Sequence, residues 1–185
     1  MAMEETAQIN GLDVGVLGKT VAAIQQDPAM GACKFRVHNR WEGAAQNRSA
    51  IHDCYAAKQE MPHHQEFHLD ADEPPLLAGK DSAPNPVEHL LNALAACMTT
   101  SMVAHAAVRG IELDEVQSDV EGDIDLRGFL GIAPEVPKGF TAIRVRFRVK
   151  ASPDNIRKLK RLTEFSPVFN TLTQGVPVAV EVTPA

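Results

Sequence analysis

Asn85-Pro86-Val87-Glu88-His89-Leu90-Leu91-Asn92-Ala93-Leu94-Ala95-Ala96-Cys97-Met98-Thr99-Thr100 reads as a helix that carries its own start signal. Asn85 suits the N-cap, because its side-chain oxygen can accept from an unpaired N–H of the first turn. Pro86 suits the first helical position, where an N–H would have no partner anyway. Glu88, three residues after Asn85, completes the spacing of a capping box. Gly110 suits the stop, since it tolerates the left-handed backbone that closes a helix. The span predicts a helix of about 24 residues, roughly 36 Å long. From Leu90 to Val108 the only readily charged side chain is His105. A helix apolar nearly all round is covered on more than one side. One domain in a chain of 185 residues rarely supplies all of that cover, so the helix predicts a dimer.

The segments on either side alternate or repeat with legible periods. Val14, Leu17, Val21 and Ile24 recur at helical steps and predict a helix over 13–26, ended by Asp27-Pro28. Phe35, Val37 and Trp41 at even steps predict a half-buried strand. Strands over about 47–55 and 64–69 follow, with a turn at 42–45, in the manner of an antiparallel meander. Residues 70–84 carry Pro74, Pro75, Gly79 and Pro84 and read as a loop. Beyond Gly110, one strand alternates Val116, Ser118, Val120, Gly122 and Ile124 with acidic Asp119, Glu121, Asp123 and Asp125. A later one alternates Ile143, Val145, Phe147 and Val149 with basic Arg144, Arg146, Arg148 and Lys150. Paired antiparallel, these would set an acidic row beside a basic row on one exposed face. Ser152-Pro153 and Ser166-Pro167 each open a helix. Val176, Val178, Val180 and Val182 predict a last strand. The order α-βββ-α-ββ-α-α-β predicts an α+β fold, with antiparallel sheets packed on a long central helix. Residues 1–33 read as an N-terminal helical extension and 34–185 as the domain proper.

Composition narrows the function classes. A net charge of −6 gives no electrostatic reason to expect nucleic acid, and the acidic strand neutralises the one basic row. Gly, Pro or charge is expected to keep every apolar stretch below the length of a membrane span. The acidic start Met1-Ala2-Met3-Glu4-Glu5-Thr6 lacks the basic-then-apolar order of a signal, which predicts a cytoplasmic protein. Cys33, Cys54 and Cys97 are odd in number and lack CxxC spacing, against both a disulfide framework and a zinc ribbon. No cofactor is indicated.

Several residues could carry chemistry. Cys97 is either a nucleophilic thiol or a small buried hydrophobe. It lies about three turns from the helix start, where the dipole has faded, so activation needs a cation from elsewhere. Arg40, Arg48 and Arg127 are the candidates; Arg127 lies in the apolar, Gly-bearing loop Asp125-Leu126-Arg127-Gly128-Phe129-Leu130-Gly131. Glu88 either orients such a cation or serves only the cap. Ser166 reads as an N-cap. His63, His64 and His68 are a weak metal-ligand pattern, better read as a solvated strand face.

Taken together, Asn85-Pro86-Val87-Glu88-His89-Leu90-Leu91, then Ala95-Ala96-Cys97, then Gly122 through Gly131, then Ser166-Pro167-Val168-Phe169 resemble the OsmC/Ohr family, the osmotically inducible and organic hydroperoxide resistance proteins. The resemblance runs from about residue 34 to 182. It implies an intertwined homodimer with sites at the subunit interface. It also implies thiol peroxidase chemistry: a central-helix cysteine attacks the peroxide, an Arg stabilises the thiolate, a Glu holds that Arg, and a second cysteine closes a disulfide. Cys97 matches the attacking position. Ser166 stands where the second cysteine would be, and Val87 where the Glu would be, with Glu88 one residue later. Arg40 and Arg48 both fit the activating Arg, while Arg127, Phe129 and Ser166 would border the pocket. The departures place the chain nearest an OsmC-like branch without the second cysteine. Its expected activity is one-cysteine reduction of a hydroperoxide, with an external thiol, Cys54 or Cys33 as reductant. The alternatives are a non-peroxidase that binds a small hydrophobic ligand at the dimer interface, and a metal-binding protein using the His cluster.

Overall fold

The computed structural model describes residues 8–184, so the acidic Met1–Thr6 start lies outside them. Strands β1 (Gln8–Ile9) and β2 (Leu12–Asp13) pair around Asn10-Gly11. Both turn residues have positive φ, 56° and 75°, the backbone that a two-residue hairpin requires and that Asn-Gly supplies. Helix α1 (Val14–Gln26) follows and ends at Asp27, as its spacing predicts; the Asp13 carboxylate accepts from the Val16 N–H at 3.0 Å. The chain divides into two compact units, residues 8 and 13–90 in one, 9–12 and 91–184 in the other.

The sheet of the first unit is built on a central strand. Strands β3 (Lys34–Phe35) and β4 (His38–Gly43) pair with β5 (Gln46–Ala56) along one edge, and β6 (Gln59–Ala71) pairs along the other. This is the expected meander, with its first strand interrupted at Arg36-Val37 and its third longer than the 64–69 read from alternation. A register shift between Ile51 and Asp53 explains that shortfall, because it breaks the two-residue period along β6. Register places Arg40, Arg48 and Asp70 in one row and Trp41, Asn47 and Ala71 in the next. One face is therefore charged. The other carries Trp41, Phe67 and Leu69, all exposed, Trp41 to 72%.

The loop after β6 is organised by a buried carboxylate. One Asp72 oxygen accepts from the Glu73 N–H at 2.9 Å. The other accepts from the Ser82 hydroxyl at 2.6 Å and from the N–H groups of Ser82 (3.1 Å) and Lys80 (3.2 Å). Gly79 sits so close to the Glu73 carbonyl that no Cβ fits there. The loop thus delivers the chain to helix α2 (Pro86–Val108) in a fixed path.

The start of α2 is the capping box read from sequence: the Glu88 N–H donates to Asn85 Oδ1 at 2.9 Å, and the Asn85 N–H to Glu88 Oε2 at 2.8 Å. Its end is a Schellman closure at Gly110 (φ 67°), with the Ile111 N–H on the Ala106 carbonyl and the Gly110 N–H on that of Ala107. In the second unit, strands β7 (Glu115–Ile124) and β8 (Phe140–Lys150) pair antiparallel, with helices α4 (Pro153–Thr163) and α5 (Pro167–Gln174) after them. The core joins Met102, Ala106, Ile111, Leu159 and Leu162, with Phe147 and Val149 packed on it. Asn10 ties the hairpin to this unit, donating to the Ile111 carbonyl at 2.9 Å and accepting from the Leu113 N–H at 2.8 Å. The acidic and basic rows meet as predicted. Arg144 bridges Glu121 (2.8 Å) and Asp123 (2.6 Å), Arg146 reaches Glu121 (3.1 Å), and Arg148 pairs with Asp119. Exposed pairs add little stability singly; their effect here is to fix register.

Three sequence expectations are corrected. The helix Pro86–Val108 is, by length and composition, long and apolar enough to cross a membrane. A core helix meets the same test, and here Leu94, Met98, Met102, Ala106 and Ala107 are buried in protein. The loop over 125–131 is in part a one-turn helix, α3 (Leu126–Phe129), because Asp125 caps it through the Arg127 N–H at 2.9 Å. The strand over 176–182 does not form. A strand exists only where a neighbour takes its hydrogen bonds, and no strand lies beside this one among the described residues. Its valines are exposed, Val178 to 81% and Val182 to 89%.

The hydrogen bonds to Asp72, led by the Ser82 hydroxyl, lower its carboxyl to about 2, from an ordinary value of about 3.9. Its stabilising contribution is complete above about pH 4 and is lost as pH falls through about 2. Asp72→Asn will lower the melting temperature at neutral pH and flatten the acid limb of stability against pH; parallel acid limbs would contradict this role.

Candidate functional site

Helix α2 buries one stripe, Leu94, Met98, Met102 and Ala106, each four residues from the last. Cys97 lies about 100° around the helix from Met98 and is half-buried, so it borders the stripe rather than belonging to it. Beyond it, Asn92, Ala93, Ala96 and Thr100 are exposed. Met98 and Met102 form one wall of an apolar cavity of about 620 Å³ in the second unit. Ile143, Val145, Phe147 and Val149 of β8 form another wall, and Phe169 of α5 contributes to the rim.

Each candidate arginine already holds a carboxylate. Arg127 grips Asp125 through Nε (3.0 Å) and Nη2 (2.6 Å), which holds the Asp125 carboxyl below its ordinary range. Phe129 ends the same helix α3 with its ring exposed. In the first unit, Arg40 pairs with Glu42 at 2.6 Å. Arg48 forms a two-pronged bond to Asp70, 2.6 Å from Nε and 3.0 Å from Nη2, raising its own pKa and lowering that of Asp70. Arg40 and Arg48 face each other across β4 and β5, so Glu42 and Asp70 neutralise what would be a like-charge pair. Arg48 and Asp70 also line a polar hollow of about 320 Å³. Glu88 is occupied by its cap. Ser166 is wholly buried, its Oγ accepting from the Phe169 N–H at 3.2 Å as the N-cap of α5.

The histidines arrange differently from their sequence order. Glu66 bridges His68 (3.0 Å) and His52 (2.7 Å), with the His38 ring 5.7 Å from that of His52. His63 instead packs edge-on against Phe67. Among the described residues no group of three or more His, Cys, Asp or Glu is arranged to hold a metal ion.

One cluster escaped the sequence reading. His105 stacks on Phe165 with ring centroids 4.0 Å apart, and Arg109 lies over the same Phe165 ring at 5.7 Å while donating to His105 Nδ1 at 3.1 Å. The spacing of four between His105 and Arg109 signals their contact on a helix. Nothing in the sequence brings Phe165, fifty-six residues on from Arg109, to the same place.

Residues 79–181 match the family model described as OsmC-like protein. Among solved structures, an OsmC-like protein from Mycoplasma pneumoniae is similar at 19% identity and TM-score 0.56, over 77% of this chain and 89% of that one. An organic hydroperoxide resistance protein OsmC from Legionella pneumophila is similar at 19% identity and TM-score 0.51, over 75% of this chain and 89% of that one. An OsmC-like protein of unknown function from Vibrio cholerae is similar at 12% identity and TM-score 0.56, over 75% and 92%. At these identities the likeness is one of fold. No curated protein sequence matches the chain significantly.

Burial, and then the charge of Arg109, push the His105 pKa below its ordinary value. A neutral imidazole is also what accepts the Arg109 bond. The stabilisation from this cluster is complete above about pH 6.5 and is lost as pH falls through the lowered value. Thermal melts from about pH 7.5 to about pH 5 will show the wild type losing more stability than His105→Asn. Equal losses would mean that His105 is not held neutral.

Proposed function

The chain belongs to the OsmC-like family, and from that premise we propose that it reduces organic hydroperoxides with a single cysteine, Cys97, in the domain of residues 34–185. The observation that carries the reading is the half-buried Cys97 beside Met98, which lines the apolar cavity of about 620 Å³. An apolar wall next to an accessible thiol suits the alkyl part of such a substrate. The Cys97 thiolate attacks the distal peroxide oxygen. An S–O bond forms as the O–O bond breaks, and the departing alkoxide takes a proton and leaves as an alcohol. Cys97 is then a sulfenic acid. An external thiol condenses with it, releasing water and leaving a mixed disulfide, and a second thiol frees Cys97 by exchange. The Ser166 hydroxyl cannot take the resolving role. In this reading Arg40 or Arg48 exchanges its present carboxylate for the thiolate and so serves as the activating cation, Glu88 orients it through the oxygen its cap does not use, and Arg127, Phe129 and Ser166 border the pocket.

The working form in this reading is a cytoplasmic homodimer. Three uncovered features support a second copy: the small-residue side of α2 through Ala93, Ala96 and Thr100, the apolar sheet face around Trp41, and the unpaired valines of 176–182. Unpaired strand-forming segments seek a sheet edge. The second reading, binding of a small hydrophobic ligand, draws on the same cavity.

Turnover of cumene hydroperoxide with dithiothreitol separates the two. The wild type will consume the peroxide, and Cys97→Ser will fall to the uncatalysed background. A wild type already at background, with an apolar compound co-purifying in native mass spectrometry, would replace the first reading with the second.

A further inference from the structure

Ten arginines occur in the chain, and seven of them pair with a carboxylate: Arg36, Arg40, Arg48, Arg127, Arg144, Arg146 and Arg148. The other three, Arg109, Arg157 and Arg161, have no ion pair among the described residues, and all three line one groove of the second unit. Lys158 joins them, also unpaired, with Phe165 as part of the apolar lining and Glu164 the one carboxylate. Four cations against one anion is a local reversal in a chain of net charge −6. The groove measures about 720 Å³, within the range of small-molecule sites.

The convergence asks for an anion. Arg157 and Arg161 are four apart on α4, a spacing at which like charges face each other and destabilise a helix unless something neutralises them. Helix C-termini attract cations, which accounts for Arg161 at the end of α4 and Arg109 just past α2 taken singly. It does not account for Arg157 in mid-helix, nor for three guanidinium groups meeting across two elements. Guanidinium forks match phosphate oxygens two at a time. Phe165 adds a second recognition element: its ring is held by His105 stacking yet is 52% exposed. A fixed, half-open aromatic ring is a platform for a flat base.

We propose that this groove binds a nucleoside polyphosphate, with Arg157, Arg161 and Arg109 taking the phosphates and Phe165 taking the base. The site is separate from Cys97 chemistry, and its ligand is a small molecule: the groove is one pocket long, and the other basic row is already neutralised by Asp119, Glu121 and Asp123.

Isothermal titration of the full chain with ATP, inorganic tripolyphosphate and adenosine tests it. ATP is expected to bind saturably and more weakly as salt rises, with tripolyphosphate weaker and adenosine weakest. The double variant Arg157→Ala/Arg161→Ala is expected to weaken ATP about tenfold or more, Phe165→Leu to bring ATP down to the affinity of tripolyphosphate, and Arg146→Ala, outside the groove, to change nothing. Circular dichroism of each variant confirms the fold. No saturable ATP binding, an unchanged affinity in the folded double variant, or tripolyphosphate binding as tightly as ATP in the wild type would overturn the proposal.

Discussion

The stripe Leu94–Met98–Met102–Ala106 is the constraint on which the rest of the second unit depends. Four apolar residues at steps of four lay one side of α2 onto protein, and Met102 and Ala106 are shared with Ile111, Leu159 and Leu162 in one core. Burying such side chains stabilises by about 1.5–3 kcal/mol for each large one. The Schellman closure at Gly110 turns the chain so that Ile111 can join that core, and the sheet packs its own alternating face on it through Phe147 and Val149. The orientation of Cys97 follows. It sits one residue before Met98, so the stripe that fixes Met98 also fixes the thiol at the margin of burial, where a small molecule can reach it.

A second regularity concerns charge. Seven of the ten guanidinium groups are neutralised by a carboxylate, and the alternation of acidic and basic residues is what made the antiparallel pairing of β7 with β8 legible in the sequence: Glu121 opposes Arg144, and Asp119 opposes Arg146. The same habit makes the exceptions informative. Arg109, Arg157 and Arg161 stand out only against that background of pairing.

Much of the fold could be read from period and punctuation. The capping box at Asn85 and Glu88, the stop at Gly110, the helix from Val14 and the paired strands on either side of Phe129 all follow from local rules, because the interactions that decide them lie within a few residues or across one hairpin. The misses have a common physical origin. The bulge at Ile51 hid half of β6 by breaking its period, and Asp72 looked like one more loop residue although its carboxylate gathers three N–H groups from positions spread over ten residues. The valines of 176–182 carry a strand's period without a strand's partner, since alternation reports what a segment is suited to and not whether a neighbour is present. The candidate site divides the same way. Cys97, Ser166 and Glu88 were placed by motif, and Ser166 and Glu88 serve as the caps their spacing implied. The contact of His105 with Phe165 depends on tertiary packing that no window of sequence contains.

An uncovered side of α2, an uncovered sheet face and the unpaired valine segment of 176–182 are the surfaces that the proposed second copy of the chain would cover. Sedimentation equilibrium of the intact protein at micromolar concentration tests it most directly. The account predicts a single species of twice the chain mass, which reverts toward the chain mass when residues 176–184 are removed. A stable monomer of the intact chain, with those apolar surfaces open to water, would contradict it.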